Sequence, residues 1–212
     1  MIADLNELSR ILSTRRRNEL PTGKLGRAAV LVGLYGPAPD YQVLYTVRTS
    51  RVEHHKGQIS FPGGRCDDTD TCIEHTALRE TLEEIGVRSE HIKVIGLLDD
   101  MTTSSQFTVT PVLARIDLHP YEFMLHEAEV DTLLSVPLSH LADPANLVPA
   151  AARPEGSPAP SYKFGDHVIW GATGRMTAHF LELIQTMKAP TPHLTMPLPP
   201  LIPLPRGFSP LL

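Results

Sequence analysis

The sequence predicts an α/β or α+β fold built on a mixed sheet, and three observations carry that reading. Apolar, β-branched runs of strand length precede, flank and follow one central helical pattern. A second amphipathic pattern closes the body of the chain at about residue 187. Pro, Gly and Asp clusters separate the runs at the places where turns are needed. At 212 residues and 42% hydrophobic content the chain suits a single domain, residues 1–187, with a sizeable core.

Taken in order, residues 3–18 form a leading helix, with Leu5, Leu8, Ile11 and Leu12 at helical spacing. The runs 27–36 and 41–48 are neighbouring strands split by the turn signal Pro-Ala-Pro-Asp. Gln58–Phe61 is a short strand that ends at Pro62-Gly63-Gly64, where the backbone must turn. Helical periodicity runs from Ile73 to Ile85, with Asp70 as N-cap and Gly86 as C-cap. Strands follow at 93–100 and 107–116, and 132–141 is a strand passing into a turn. Residues 148–160 are a loop, 162–171 a hairpin and Ala172–Met187 the closing helix. Eight prolines in residues 188–212 then forbid a helix or a central strand, so this segment is a Pro-rich tail.

Composition narrows the function. A net charge of −5 argues against broad nucleic-acid or acidic-membrane binding. No apolar run approaches membrane-spanning length. The opening MIADLNELSR lacks the basic-then-apolar order of a secretory signal. Cys66 and Cys72 cannot make a four-ligand zinc site and fit a reducing compartment, with the cytoplasm as default.

The chemistry concentrates in RETLEEIGV, residues 79–87. At about 100° per residue, with Glu80 at zero, Glu84 falls near 40° and Glu83 near 300°. Leu78, Leu82 and Ile85 fall at about 160°, 200° and 140°, which predicts a core stripe opposite an acidic face. Two charges about 4 Å apart repel by roughly 4 kcal/mol at an effective dielectric of 20. Either that face is fully wet or a cation offsets the crowding. Arg79 can hold a carboxylate rotamer by a bidentate pair. Oxygen-only ligands select hard cations, Mg²⁺ or Mn²⁺, which typically bridge carboxylates to substrate phosphates.

RETLEEIGV resembles the core of the Nudix box, Arg-Glu-U-x-Glu-Glu-x-Gly-U with U apolar; Thr81 stands at the first U. The box also asks for Gly fourteen and Glu eight residues before the Arg, where this chain has Arg65 and Thr71. Gly64 sits fifteen before it, as if one residue were inserted, and Asp67, Asp68 and Asp70 lie near the acidic position. VLYTVRTSRVEHHKGQISFPGG (43–64) resembles the signature of the coenzyme A diphosphatase branch of Nudix hydrolases at Leu44, Thr46, Arg48, Gly57, Phe61, Pro62, Gly63 and Gly64. That branch similarly carries a lengthened box. Residues 129–141 and 167–176 are similar to it as well. Glu53 departs from the pattern, which often has an Arg there.

The resemblance implies an α/β/α sandwich with the mixed sheet between helices. It implies metal-dependent hydrolysis of a P–O–P linkage, in coenzyme A yielding 4′-phosphopantetheine and adenosine 3′,5′-bisphosphate. Glu80 and Glu84 would be the principal Mg²⁺ or Mn²⁺ ligands, with Glu83 a further or water-mediated one. Arg79 would orient Glu80, and the Gly63-Gly64 backbone would approach the diphosphate closely. Arg48, Arg51, His55 and Lys56 would contact the substrate. The base would be a box glutamate such as Glu83 or a loop glutamate, Glu127 or Glu129, with Asp99 and Asp100 as further candidates. The partner is thus a small molecule, with no nucleic acid or membrane, and a homodimer is compatible with the sequence. Hydrolysis of ADP-ribose or a dinucleotide is the alternative activity. A non-catalytic Nudix-fold binding module is the other, although such proteins usually lose box carboxylates.

Overall fold

The computed structural model describes residues 4–21, 25–49, 57–152 and 159–188. In chain order the elements begin with α1 (Leu5–Thr14), β1 (Gly26–Tyr35), β2 (Gln42–Arg48), β3 (Ile59–Ser60) and β4 (Gly63–Arg65). There follow α2 (Ile73–Ile85), β5 (Ile92–Leu97), β6 (Met101–Thr102), β7 (Phe107–Ile116) and β8 (Val130–Pro137). The last are α3 (Leu138–Ala142), β9 (Tyr162–Phe164), β10 (His167–Ile169) and α4 (Gly171–Lys188).

The centre is β1, whose alternate residues enter different layers. Ala28, Val32 and Leu34 join one core cluster, while Ala29 and Leu31 join another. A strand buried on both faces requires cover on both. On one side α1 and α4 supply Leu8, Leu12, Phe180 and Ile184. On the other, α2 supplies Ala77 and Ile85. Burying each large apolar side chain contributes about 1.5–3 kcal/mol. The strands run in the order β3-β2-β1-β7-β5, with β4 paired to β1, β6 to β7 and β8 to β2. The β1–β7 pairing is parallel, from Gly26↔Phe107 to Leu34↔Arg115, and the others are antiparallel, so the sheet is mixed as expected. A separate hairpin joins β9 to β10.

Several local expectations change. The first helix stops at Thr14 rather than at residue 18, because Arg15 and Arg17 leave it to pair with Asp99 and Asp100. Asp4 caps its start by accepting from the Asn6 and Glu7 amides. Asp70 is not the N-cap of α2; Cys72 holds that place without a side-chain bond. Gly86 is the C-cap, at φ 72°. The strands β4 and β6 were not expected, since Gly-Gly-Arg and a two-residue strand carry no periodic signal. The turn expected after 132–137 is the short helix α3. The Pro-rich segment from residue 189 on lies outside the described residues.

Candidate active site

Close approach of α2 to β4 builds the site. Strand β4 pairs Gly64 with Ala29 and Gly63 with Val30 on β1. A Cβ on Gly63 would fall 2.3 Å from the Ala29 carbonyl oxygen, and one on Gly64 would fall 2.5 Å from the Glu80 carboxylate. Only glycine leaves room for that carboxylate to lie against the strand. One turn further on, Glu84 Oε2 accepts a hydrogen bond from the Gly63 amide at 3.2 Å.

This packing corrects the predicted face of the helix. The buried residues are Thr76, Ala77, Thr81, Glu84 and Ile85, an arc that contains the Glu84 carboxylate instead of opposing it. Leu82, expected in the core, is 47% exposed, whereas Glu84 is 3% exposed. Glu83 points outward, with its side chain 55% exposed. The three glutamates therefore do not form one closed cage. Glu80 and Glu84 are drawn to the glycine strand, and among the described residues no three acidic, His or Cys side chains are gathered into a ready ligand set.

Burial holds Glu80 above the usual carboxylate range, against the pull of Arg79, and the Glu83 and Glu129 charges add to the rise. Burial pushes Glu84 up to about 7; the Gly63 amide and Arg48 oppose this, while Glu80 and Glu129 reinforce it. Arg48, at the end of β2, comes only to 4.0 Å from Glu84 Oε1. Its buried Nε has no hydrogen-bond partner among the described residues. Hard oxygen donors, two crowded and desolvated carboxylates and a nearby glycine backbone fit a divalent cation such as Mg²⁺ or Mn²⁺.

Arg79 is fixed from several sides. Its Nη1 donates to Glu80 at 2.8 Å and Glu83 at 3.1 Å. Its Nε and Nη2 donate to the two oxygens of Asp70, each at 3.0 Å, and Nη2 also reaches the Arg65 carbonyl. The Arg79 bonds drive the Asp70 carboxyl well below its usual range, helped by Asp67 and Thr76. Asp70 thus selects itself from the three aspartates near the box. Gly64 and Asp70 keep the six-residue separation the box asks for, and the extra residue falls between Asp70 and Arg79.

Of the candidate bases, Glu129 stands just before β8. Its backbone accepts from Thr49 and donates to His126, and the His126 amide bonds in turn to the Glu84 carbonyl. Its carboxylate is near enough to raise both Glu80 and Glu84. Asp99 and Asp100 do not belong here: Asp99 pairs with Arg15, and buried Asp100 with Arg17, Thr110 and the Leu20 amide. Arg51, His55 and Lys56 lie outside the described residues.

Beside the carboxylates opens a cleft of about 280 Å³, lined by Arg48, Gly63, Phe61, Met176 and Trp170, with Thr103–Ser105 along its edge. A second hollow of about 250 Å³ shares Arg48 and Gly63 and adds Gly64 and Arg65. Sequence reasoning missed Trp170 and the serine loop. The available signals were that Trp170 is the only tryptophan in the chain and falls within 167–176, a stretch similar to the coenzyme A diphosphatase branch.

The NUDIX domain family model matches residues 6–154, so the chain belongs to the Nudix hydrolases. Mitochondrial coenzyme A diphosphatase NUDT8 of Homo sapiens is 39% identical over 162 residues, covering 74% of this chain and 69% of that protein. Its Mus musculus counterpart is 38% identical over 164 residues, covering 74% and 77% respectively. Among solved structures, a MutT/nudix family protein from Enterococcus faecalis aligns with a TM-score of 0.49 at 16% identity, over 88% of this chain and 70% of that one.

Proposed function

We propose that this Nudix hydrolase cuts the diphosphate linkage of coenzyme A or its derivatives, releasing 4′-phosphopantetheine and adenosine 3′,5′-bisphosphate. The observation that carries the hydrolytic reading is the Glu80–Glu84 pair seated on Gly63-Gly64 and enclosed, with Arg79 bound to Glu80 while Glu84 has only a distant Arg48. The choice of substrate is supported by the likeness to two coenzyme A diphosphatases over 74% of the chain.

Glu80 and Glu84 would hold Mg²⁺ or Mn²⁺, with Glu83 reaching it through water. Bound there, the cation supplies positive charge to the diphosphate and acidity to a coordinated water. Arg79 keeps the Glu80 carboxylate in one rotamer through the Asp70 clamp. Arg48, which lines the cleft, offers its guanidinium charge to a phosphate oxygen. Glu129, held against α2 through His126, takes the proton from the attacking water. A reducing compartment, the cytoplasm by default, belongs to the same proposal, since Cys66 and Cys72 are both free thiols.

The test is a chromatographic screen of coenzyme A, dephospho-coenzyme A, ADP-ribose and NADH with Mg²⁺ or Mn²⁺. Coenzyme A should be cut fastest, giving the two named products. Faster cleavage of ADP-ribose or NADH would replace the reading with the alternative activity.

A further inference from the structure

The two hollows share Val30, Arg48, Gly63, Thr103, Ser105 and Val109 but differ in charge. The larger cleft is mostly apolar, with Ile59, Phe61, Val109 and Met176 within it and Trp170 on its wall. Its other polar groups are neutral, the Gln58 amide and hydroxyls such as Ser60 and Ser104, and Arg48 is its one charged lining residue among the described residues. The smaller hollow adds Ala28 and Phe107 to its wall, runs past Gly64 and ends at Arg65, so it carries a second cation.

The walls of the larger cleft are held in place. The Thr103 hydroxyl and amide bond back to Ser105 and Phe107. Gln106, a non-glycine residue at φ 63°, keeps that loop tightly turned. From the opposite wall, Arg175 of α4 donates to the Thr102 carbonyl, and the Thr173 hydroxyl donates to the Ile59 carbonyl at 3.0 Å. The cleft is therefore pre-formed rather than assembled on binding.

Coenzyme A is itself asymmetric. One arm, pantetheine, is neutral, with methyl groups and amides; the other is a nucleoside with an additional 3′-phosphate. Burying a dianion beside Phe61, Met176 and Trp170 without a second cation is unfavourable, whereas amides can bond the serine hydroxyls. Resting on the coenzyme A reading, we propose that substrate lies across Gly63 with its pantetheine arm in the Trp170 cleft and its 3′-phosphorylated nucleoside in the Arg65 hollow. Trp170 and Arg65 are then the residues that set the direction of binding.

Trp170 is the only tryptophan, so its fluorescence reports occupancy of the cleft in the unmodified protein. Titration with 4′-phosphopantetheine should shift its emission, and adenosine 3′,5′-bisphosphate should bind without doing so. Trp170→Ala should weaken 4′-phosphopantetheine about tenfold and the bisphosphate less than about twofold, and Arg65→Ala should do the reverse. Trp170→Phe serves as a second variant that keeps the wall filled and should retain most of the affinity. A bisphosphate that moves Trp170 emission, variants that swap their effects, or half-products that bind without discrimination would each overturn the orientation. Cleavage of coenzyme A by the wild type is scored separately: if it is cut while the pattern is reversed, only the orientation falls. If coenzyme A is not cut, the proposed function falls as well.

Discussion

Asp70 and Glu84 are both carboxylates shut away from solvent, with side chains 3% and 4% exposed, yet they are driven in opposite directions. Asp70 receives two bonds from Arg79, one from the Thr76 hydroxyl at 2.8 Å and one from the Asp67 amide at 2.9 Å. Those partners hold it well below the usual range. Glu84 receives one amide at 3.2 Å and a distant arginine, so burial dominates and pushes it up to about 7. Equal enclosure with unequal satisfaction separates a carboxylate that builds the site from one that is left to act in it.

The contrast can be broken from either end. Glu84→Gln should cost the largest effect, a loss of about a thousandfold in kcat, while the metal-free protein keeps its fold by circular dichroism. Gly64→Ala follows, at about a hundredfold, because the new Cβ displaces the Glu80 carboxylate; a crystal structure should show that carboxylate moved. Asp70→Asn should lower activity about tenfold through Arg79. Breaking this enclosed pair should also remove about 3 kcal/mol of stability in urea denaturation at neutral pH. Since the folded pKa of Asp70 is depressed, its stabilisation is complete above the unfolded value of about 3.9 and disappears as pH falls through the lower folded value. Asp70→Asn should therefore flatten the acid limb of the stability profile. Leu82→Lys should be the mildest, within about 0.5 kcal/mol, as it alters an exposed position.

Much of this contrast was legible in the residues, though not its sense. The spacing of Glu80, Glu83 and Glu84 behind Arg79 located the chemistry, and Gly63-Gly64 marked the close approach. Helical periodicity placed α2 at Ile73–Ile85 without shift and put Ile85 in the core correctly, with Leu78 packed against the core, but it misplaced Leu82 and Glu84. Leu82 scores as core and Glu84 as surface by polarity alone. The glycine strand inverts that ranking, because it gives Glu84 an amide partner inside the layer. The role of Asp70 was hidden for a related reason: an aspartate just before a helix resembles a cap, and only the folded loop brings it to Arg79. The cleft was least visible, since Ser104, Trp170 and Met176 meet only when α4 crosses the β6–β7 turn.

The most direct measurement of the central claim is thermal unfolding of wild type and Glu84→Gln with increasing Mn²⁺. At about a hundredfold above the dissociation constant, binding to the folded state adds roughly 2.7 kcal/mol, or about 5–10 °C in Tm for a chain of this size. Wild type should show that rise and Glu84→Gln should not. An equal rise in both proteins, or none in wild type, would contradict the account.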